Sequence, residues 1–428
     1  MIPRTAIAPT ELDFDASYRA AERRDPRFDG RMFGAVTTTG VYCRPVCPSR
    51  MPRRANVRFF ASTSAAEREG FRPCRRCLPA AHAESRPALV DRALESIAAG
   101  YGFEGLASGL GTEAGRLRRA FVAELGVSPS ELIRAVRACG PLSLPLAFRP
   151  PLDAASLLAF LGGRTVAGVE EVRGPTYRRS LTASGGPAIV ALTPHHGHVR
   201  LDVALADIGS LRSIVGTARS MFDLDVDPAA VSRTLGRDPA LRPLVRAHPG
   251  IRVPAAADGL ELGVRAVVGQ QVSVAGARTM LGRIAARFGT PIAGADPPVA
   301  TGFPYAEALA DAPLEELGVI GRRACAIRRI ASLVAGGGLN LRGTGDPGET
   351  VDTLREIDGV GPWTAEYVRM RALRDPDAFV ASDLGVRHAF MRLGLDARPG
   401  AISERAEEWR PWRAYATMLL WRLEASRG

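Results

Sequence analysis

Two periods of apolar residues run along this chain. From about 216 to 428 the spacing is helical. Leu354, Ile357, Val360, Ala365 and Val368 form its clearest stretch, and Gly359 and Gly361 interrupt it. A helix, a tight glycine turn and a second helix are predicted there. Glycine accepts the positive φ that such a turn needs. Pro362 falls at the first position of the second helix, where a missing N–H costs little. The turn also offers bare backbone N–H groups, a ready anion site. Trp363 and Tyr367 lie four apart and so share a helix face. Asp383 follows a short apolar run, Ala378-Phe379-Val380-Ala381.

Between 165 and 205 the apolar runs alternate or turn β-rich. Runs at 165–172, 177–182, 188–192 and 198–205 predict antiparallel strands, with turns at Gly185-Gly186-Pro187 and His195-His196-Gly197. A short helix over 153–161 precedes them and covers one face. The stretch P-L-S-L-P-L-A-F-R-P-P from Pro141 is proline-rich and reads as a linker. Nearer the N-terminus, 88–99 predicts an amphipathic helix. Leu106-Ala107, Leu110-Gly111 and Leu117 fit a helix-turn-helix whose recognition helix spans 113–125.

At 428 residues the chain exceeds one typical domain. A net charge of +11 suits a polyanionic partner. All 56 basic residues are arginine; lysine is absent. Six cysteines are too few and too uneven for a secreted disulfide framework. No signal segment opens the chain and no apolar run reaches membrane length, so a reducing cytoplasm and no membrane partner are expected.

Four cysteines form two close pairs, Cys43 with Cys47 and Cys74 with Cys77. Thiolates on two short knuckles suit one tetrahedral zinc ion, structural at the least. Arg44, Arg50, Arg53, Arg54, Arg72, Arg75 and Arg76 crowd this segment, and their forks suit phosphate. Cys139 is unmatched and reads as inert. His195, His196 and His198 sit on a turn without an acidic or cysteine neighbour, and read as no metal site.

The runs T-T-T-G-V-Y-C-R-P-V-C, N-V-R-F-F and G-F-R-P-C-R-R-C resemble the N-terminal domain of Ada-type adaptive-response regulators. The resemblance implies a zinc site in which Cys43 also accepts a methyl group from DNA methylphosphotriesters. The stretch through G-V-S-P-S-E-L-I resembles AraC-type regulators, but only one unit and the opening helix of a second are visible before Pro141. Promoter DNA is a further partner on that reading. No P-C-H-R motif occurs, so the Ada family's second methyl acceptor is absent.

G-V-G-P-W-T-A-E-Y, with Asp383 twenty residues beyond Trp363, resembles the helix-hairpin-helix DNA glycosylases. From about Leu146 to Glu424 the chain resembles the AlkA-type 3-methyladenine glycosylases. That resemblance makes Asp383 catalytic and places Phe160, Trp363, Tyr367 and Trp421 around a flipped base. It assigns Gly359, Gly361 and Thr364 to DNA and puts Gln271 where the family carries a leucine wedge. An electron-rich aromatic pocket would suit a cationic alkylated base. Trp409 and Trp412 are assigned to core.

The expected fold class is multi-domain α+β. It comprises a zinc-binding α/β domain (1–82), a partial helix-turn-helix (85–139), an antiparallel sheet with a helix (141–215) and an all-α helix-hairpin-helix region (216–428). The expected function is repair of alkylated duplex DNA by a monomeric, monofunctional glycosylase holding one zinc and no iron–sulfur cluster. A methylation-sensing transcriptional regulator with a vestigial glycosylase half is the alternative.

Overall fold

The computed structural model describes residues 14–25, 28–29, 32–60, 63–77, 79, 86–102, 105–138 and 142–425. Cys139 and the expected domain breaks near 82–85 and 139–141 lie outside them. The chain divides into two compact units, Met1–Glu124 and Leu125–Gly428. No helix among the described residues is long and apolar enough to cross a membrane.

The first unit opens with α1 (Phe14–Glu22), then β1 (Phe33–Val36), β2 (Val41–Cys43), β3 (Val57–Phe60), α2 (Thr63–Arg68) and β4 (Arg72–Pro73). The four strands form one sheet in the order β3-β1-β2-β4. Only the β2–β4 pair is parallel, with Val41 opposite Arg72 and Tyr42 opposite Pro73. Phe33, Ala35, Tyr42 and Ala66 make its small core. So small a core gains from a metal clamp. Helices α3 (Arg86–Ala98), α4 (Leu106–Gly109) and α5 (Ala114–Leu125) follow. Leu89, Val90, Ala93, Leu94 and Ile97 line the buried face of α3, which is the predicted amphipathic stripe.

The second unit begins with α6 (Pro129–Arg137). Ser128 and Glu131 close a capping box at its start. Next comes a strand, β5 (Leu142–Ala147), where the sequence had suggested a linker. Leu142, Leu144 and Leu146 are buried and the residues between them exposed, a strand period that the prolines disguised. Pro145 is tolerated because β5 is an edge: the sheet runs β5-β9-β8-β7-β6. Helix α7 (Ala154–Gly162) precedes β6 (Glu170–Arg173), β7 (Thr176–Ala183), β8 (Gly186–Pro194) and β9 (His198–Leu205). Residues 165–169, expected in strand, lie before β6. Every neighbouring pair in this sheet is antiparallel.

The remainder is helical apart from a two-residue ribbon. In order come α8 (Leu211–Met221), α9 (Pro228–Leu235), α10 (Arg242–Ala247), α11 (Gly259–Val268) and α12 (Val274–Phe288). Strands β10 (Thr290–Pro291) and β11 (Thr301–Gly302) form the ribbon. Then follow α13 (Ala306–Ala310), α14 (Arg322–Ala335), α15 (Pro347–Arg355), α16 (Pro362–Arg371), α17 (Leu384–Arg392), α18 (Pro399–Ala406) and α19 (Arg413–Ala425). Helix α11 is buried on nearly every side, packing on α14 and α16. Trp409 is fully buried against Phe379 and Phe390, and Trp412 is partly buried against the same core.

Candidate functional sites

The hairpin is α15, a turn, and α16. Gly359 has φ +90°, so glycine is needed for conformation. Space demands it too, because a Cβ there would meet Arg322 Cγ at 2.9 Å. Gly361 differs from expectation: its φ is −84°, extended backbone that any residue adopts. It is the N-cap of α16, with Pro362 next in line. Its exposure leaves the helix N-terminus open to an anion.

Thr364, expected at DNA, has a side chain that is only 2 % exposed. Its hydroxyl accepts from Gln270 Nε2 at 2.9 Å, and the same nitrogen donates to the Gly359 carbonyl at 2.9 Å. Gln270 therefore ties the α11–α12 turn to the hairpin turn. Sequence reasoning passed over it, although the doubled glutamine was the available signal. The neighbouring Gln271 is exposed and holds φ +55°, a left-handed conformation that is uncommon for a non-glycine residue.

Asp383 caps α17, its Oδ1 accepting from Val386 N at 2.9 Å. Trp363 Nε1 donates to its Oδ2 at 2.8 Å, and Trp421 Nε1 donates to its Oδ1 at 2.7 Å. Three N–H donors from three elements fix both oxygens. Gly385 makes room: a Cβ there would stand 3.1 Å from both Asp383 Oδ1 and Trp421 Cδ1.

Asp383 lies on the wall of a cavity of about 420 Å³. Phe160, Trp363, Tyr367 and Trp421 line the same cavity. Trp363 stacks on Tyr367 at 5.1 Å between ring centroids, and Phe160 stacks on Trp421 at 6.1 Å. Four expected aromatics and the acid thus meet in one place, from α7, α16, α17 and α19. Two arginines unforeseen from the sequence join them, Arg164 and Arg371. Arg371 Nη1 donates to Tyr367 Oη at 2.6 Å. Burial alone pushes the Tyr367 phenol up, but Arg371 and Arg164 outweigh it and the net shift is downward. Burial pushes the Arg164 guanidinium down.

A buried charged layer completes the wall. Arg179 Nη2 donates to Glu261 Oε2 at 2.7 Å, and Arg265 Nη2 donates to Glu170 Oε1 at 2.6 Å. Tyr177 donates to Glu170 as well. Burial opposes ionisation of Glu261, yet Arg179 and Arg265 hold it down at about 2. The layer joins α11 to β6 and β7, and so fixes the cavity's shape.

In the first unit the Sγ atoms of Cys43, Cys47, Cys74 and Cys77 lie within 4.8 Å of one another. Thiolates held about 2.3 Å from a tetrahedral zinc ion are about 3.8 Å apart, so the donor set fits zinc. Cys74 N donates to Tyr42 O at 3.0 Å, which sets one knuckle against β2. The hydrogen bond to Cys77, then burial and Cys47, push the Cys43 thiol up. Arg44 is committed to Asp29, with Nε donating at 2.7 Å. Arg54 pairs with Asp15. Arg50, Arg53, Arg72, Arg75 and Arg76 are exposed.

With this geometry in place, similarity to known proteins is decisive. The chain is 38% identical to a probable bifunctional transcriptional activator/DNA repair enzyme AlkA of Mycobacterium tuberculosis, across 96% of each chain. The chain belongs to the AlkA family. The AlkA N-terminal domain matches residues 143–258, and the HhH-GPD superfamily of base excision DNA repair proteins matches 264–414. The metal-binding domain of Ada matches 16–80 and contains all four cysteines. DNA-3-methyladenine glycosylase 2 of Escherichia coli is 33% identical over 65% of this chain and 96% of its own. The 3-methyladenine DNA glycosylase of Archaeoglobus fulgidus shares the AlkA-type fold, with a TM-score of 0.59 at 23% identity over 66% of this chain and 98% of its own.

Proposed function

We propose that this protein repairs alkylated duplex DNA as a monofunctional glycosylase, acting on bases of the 3-methyladenine type. The observation that carries the reading is Asp383. Its carboxylate is pinned by two indole N–H groups on the wall of an aromatic cavity. The hairpin N-terminus and the Gln271 turn would hold the backbone while the damaged nucleotide turns outward. As the C1′–N bond breaks, positive charge develops on the sugar. A preorganised carboxylate stabilises that charge and orients the attacking water. The rigid cap of α17 means that little reorganisation is needed at that moment.

Water is the nucleophile on this reading. A lyase step needs an amine that forms a Schiff base, and the 428 residues contain no lysine. Arginine does not substitute, because its guanidinium stays protonated. No cysteine follows Cys325, so the reading includes no iron–sulfur cluster.

The first unit adds a single-use reaction. Zinc, when bound by Cys43, Cys47, Cys74 and Cys77, keeps its thiolates ionised at neutral pH. Cys43 Sγ attacks the methyl carbon of a methylphosphotriester. A C–S bond forms, the C–O bond breaks, and the phosphodiester anion leaves.

One experiment tests both activities. The full-length protein is incubated with duplex DNA methylated on bases and backbone. Free bases, protein-bound methyl and strand breaks are counted separately. Released 3-methyladenine with methyl on Cys43 and intact abasic strands is expected; no base release would end the glycosylase reading.

A further inference from the structure

Surface arginines of the second unit commonly hold a carboxylate. Arg219 meets Asp225, Arg328 meets Glu315 and Arg398 meets Asp396. Four around the turn from α9 to α10 differ. Arg233, Arg237, Arg242 and Arg246 are exposed, and among the described residues none of them pairs with an acid. The one acid in this stretch, Asp238, is buried and already taken. Arg405 Nη2 donates to it at 2.7 Å and Trp409 Nε1 at 2.8 Å.

The four arginines line a surface cleft of about 350 Å³, with Ser232 and Val245 between them. Arg242 and Arg246 stand four apart on α10, so like charges share one face, which by itself is destabilising. Arg242 is held across the turn. Its Nε donates to the Gly236 carbonyl at 3.0 Å and its Nη2 to that of Arg237 at 3.4 Å, so one fork is fixed before any ligand arrives. None of these residues lines the cavity beside Asp383. Trp409, which anchors Asp238, lies just ahead of α19, whereas Trp421 meets the cavity near the far end of that helix.

Four unneutralised forks in one cleft suit an anion with repeated charges. Arginine matches phosphate oxygens in particular, and a serine hydroxyl adds to such contacts. The lining has no aromatic ring on which a bare base could stack, as a single strand would need. A duplex hides its bases and presents only its backbone. We infer that this cleft docks the phosphodiester backbone of a second stretch of duplex DNA, apart from the stretch held at the hairpin. The inference rests on the glycosylase reading only in taking duplex DNA as the partner. The protein would then hold undamaged duplex while the cavity engages a lesion.

The test uses the full-length protein captured on an immobilised duplex with one abasic site. A labelled undamaged duplex is then titrated over it at several salt concentrations. The wild type should take up the second duplex. A variant combining Arg233→Gln, Arg237→Gln and Arg246→Gln should bind it at least about ten-fold more weakly, with a log–log salt slope shallower by about two to three. Lysine at the same three positions should restore the slope, since the slope counts charge. Arg242 is left in place because it bonds the backbone. Release of 3-methyladenine at saturating protein should be equal in wild type and glutamine variant, which shows that the variant is folded. If the triple variant aggregates, Arg246→Gln alone serves, with a slope shallower by about one. Equal uptake of the second duplex by wild type and variant, or uptake by neither, overturns the inference. So does a poly-glutamate peptide that binds the wild type more tightly than the duplex and is lost in the variant, for the partner is then an acidic protein. Absence of base release from the wild type counts against the glycosylase reading alone.

Discussion

Trp421 donates its indole N–H to Asp383 Oδ1 at 2.7 Å, from thirty-eight residues further along the chain. The last helix therefore sets the acid that caps α17. Replacing Asp383 by Asn keeps the volume but puts an NH2 opposite one of three N–H donors. Base release should fall about a hundred-fold or more, because the charge facing the developing sugar cation is gone. Affinity for abasic duplex should change little. Near wild-type turnover in D383N would remove Asp383 from the mechanism.

Gln270 acts differently. Its side-chain nitrogen joins the Gly359 carbonyl to Thr364 Oγ1, and the residue does not line the cavity. Gln270→Ala should loosen the hairpin turn at a cost of about 1–3 kcal/mol in stability. The kinetic effect should appear as weaker DNA binding rather than a slower bond-breaking step. Fluorescence titration beside single-turnover rates separates the two; a slower step with unchanged binding would refute this role.

The four cysteines predict one zinc per chain. Cys74→Ser should lose the metal and unfold the small sheet of the first unit, since its core is four residues with two aromatic neighbours. Base release belongs to the other unit and should persist. Metal analysis and limited proteolysis report the first effect, and a glycosylase assay reports the second. Zinc retained at full stoichiometry would exclude Cys74 as a ligand.

Asp223 predicts a pH effect on stability. Burial pushes its carboxyl up to about 7, against hydrogen bonds from Tyr415 and Val253 and the attraction of Arg252. Its folded value exceeds its unfolded value, so the folded state holds the proton longer. Stability should be greatest near pH 4 and decline as pH rises to about 7. The full shift would be worth about 4 kcal/mol, and partial exposure of the residue brings it toward about 1–2 kcal/mol. Asp223→Asn should flatten this slope in denaturant titrations across that range. An identical slope in the variant would show that other groups produce it.

Much of the site was legible because local rules agree with one another. Gly359, Pro362 and the four-residue interval from Trp363 to Tyr367 all follow from turn and helix geometry. The cysteine pairs were equally plain, since metal ligands need close spacing on a short chain. Other features escaped for physical reasons. Leu142, Leu144 and Leu146 alternate as a strand should, but Pro141 and Pro145 outweighed them. An edge position removes that objection, and edges are set by sheet order, which no local pattern displays. Thr364 looked available to DNA because its helix position was known while its inward rotation was not. Arg164 and Arg371 carried no distinguishing signal among 56 arginines. Only the packing of α7 against α16 and α19 reveals that their heads turn inward.

The edge strand bears on how this protein can be cut. Gly126, at φ +78°, lies so close to the Pro145 carbonyl that a Cβ would stand 2.3 Å from its oxygen. Helix α6 and strand β5 are therefore joined to the repair half, although the match to the AlkA N-terminal domain begins only at residue 143. A fragment begun at Asp153 would keep every cavity residue named here and still strip β9 of its partner. The bare strand would offer six residues of unpaired backbone, 198–203, to any neighbouring chain, an invitation to aggregate. A well-behaved excision fragment has to start upstream of Gly126, inside what the sequence alone assigns to a regulator.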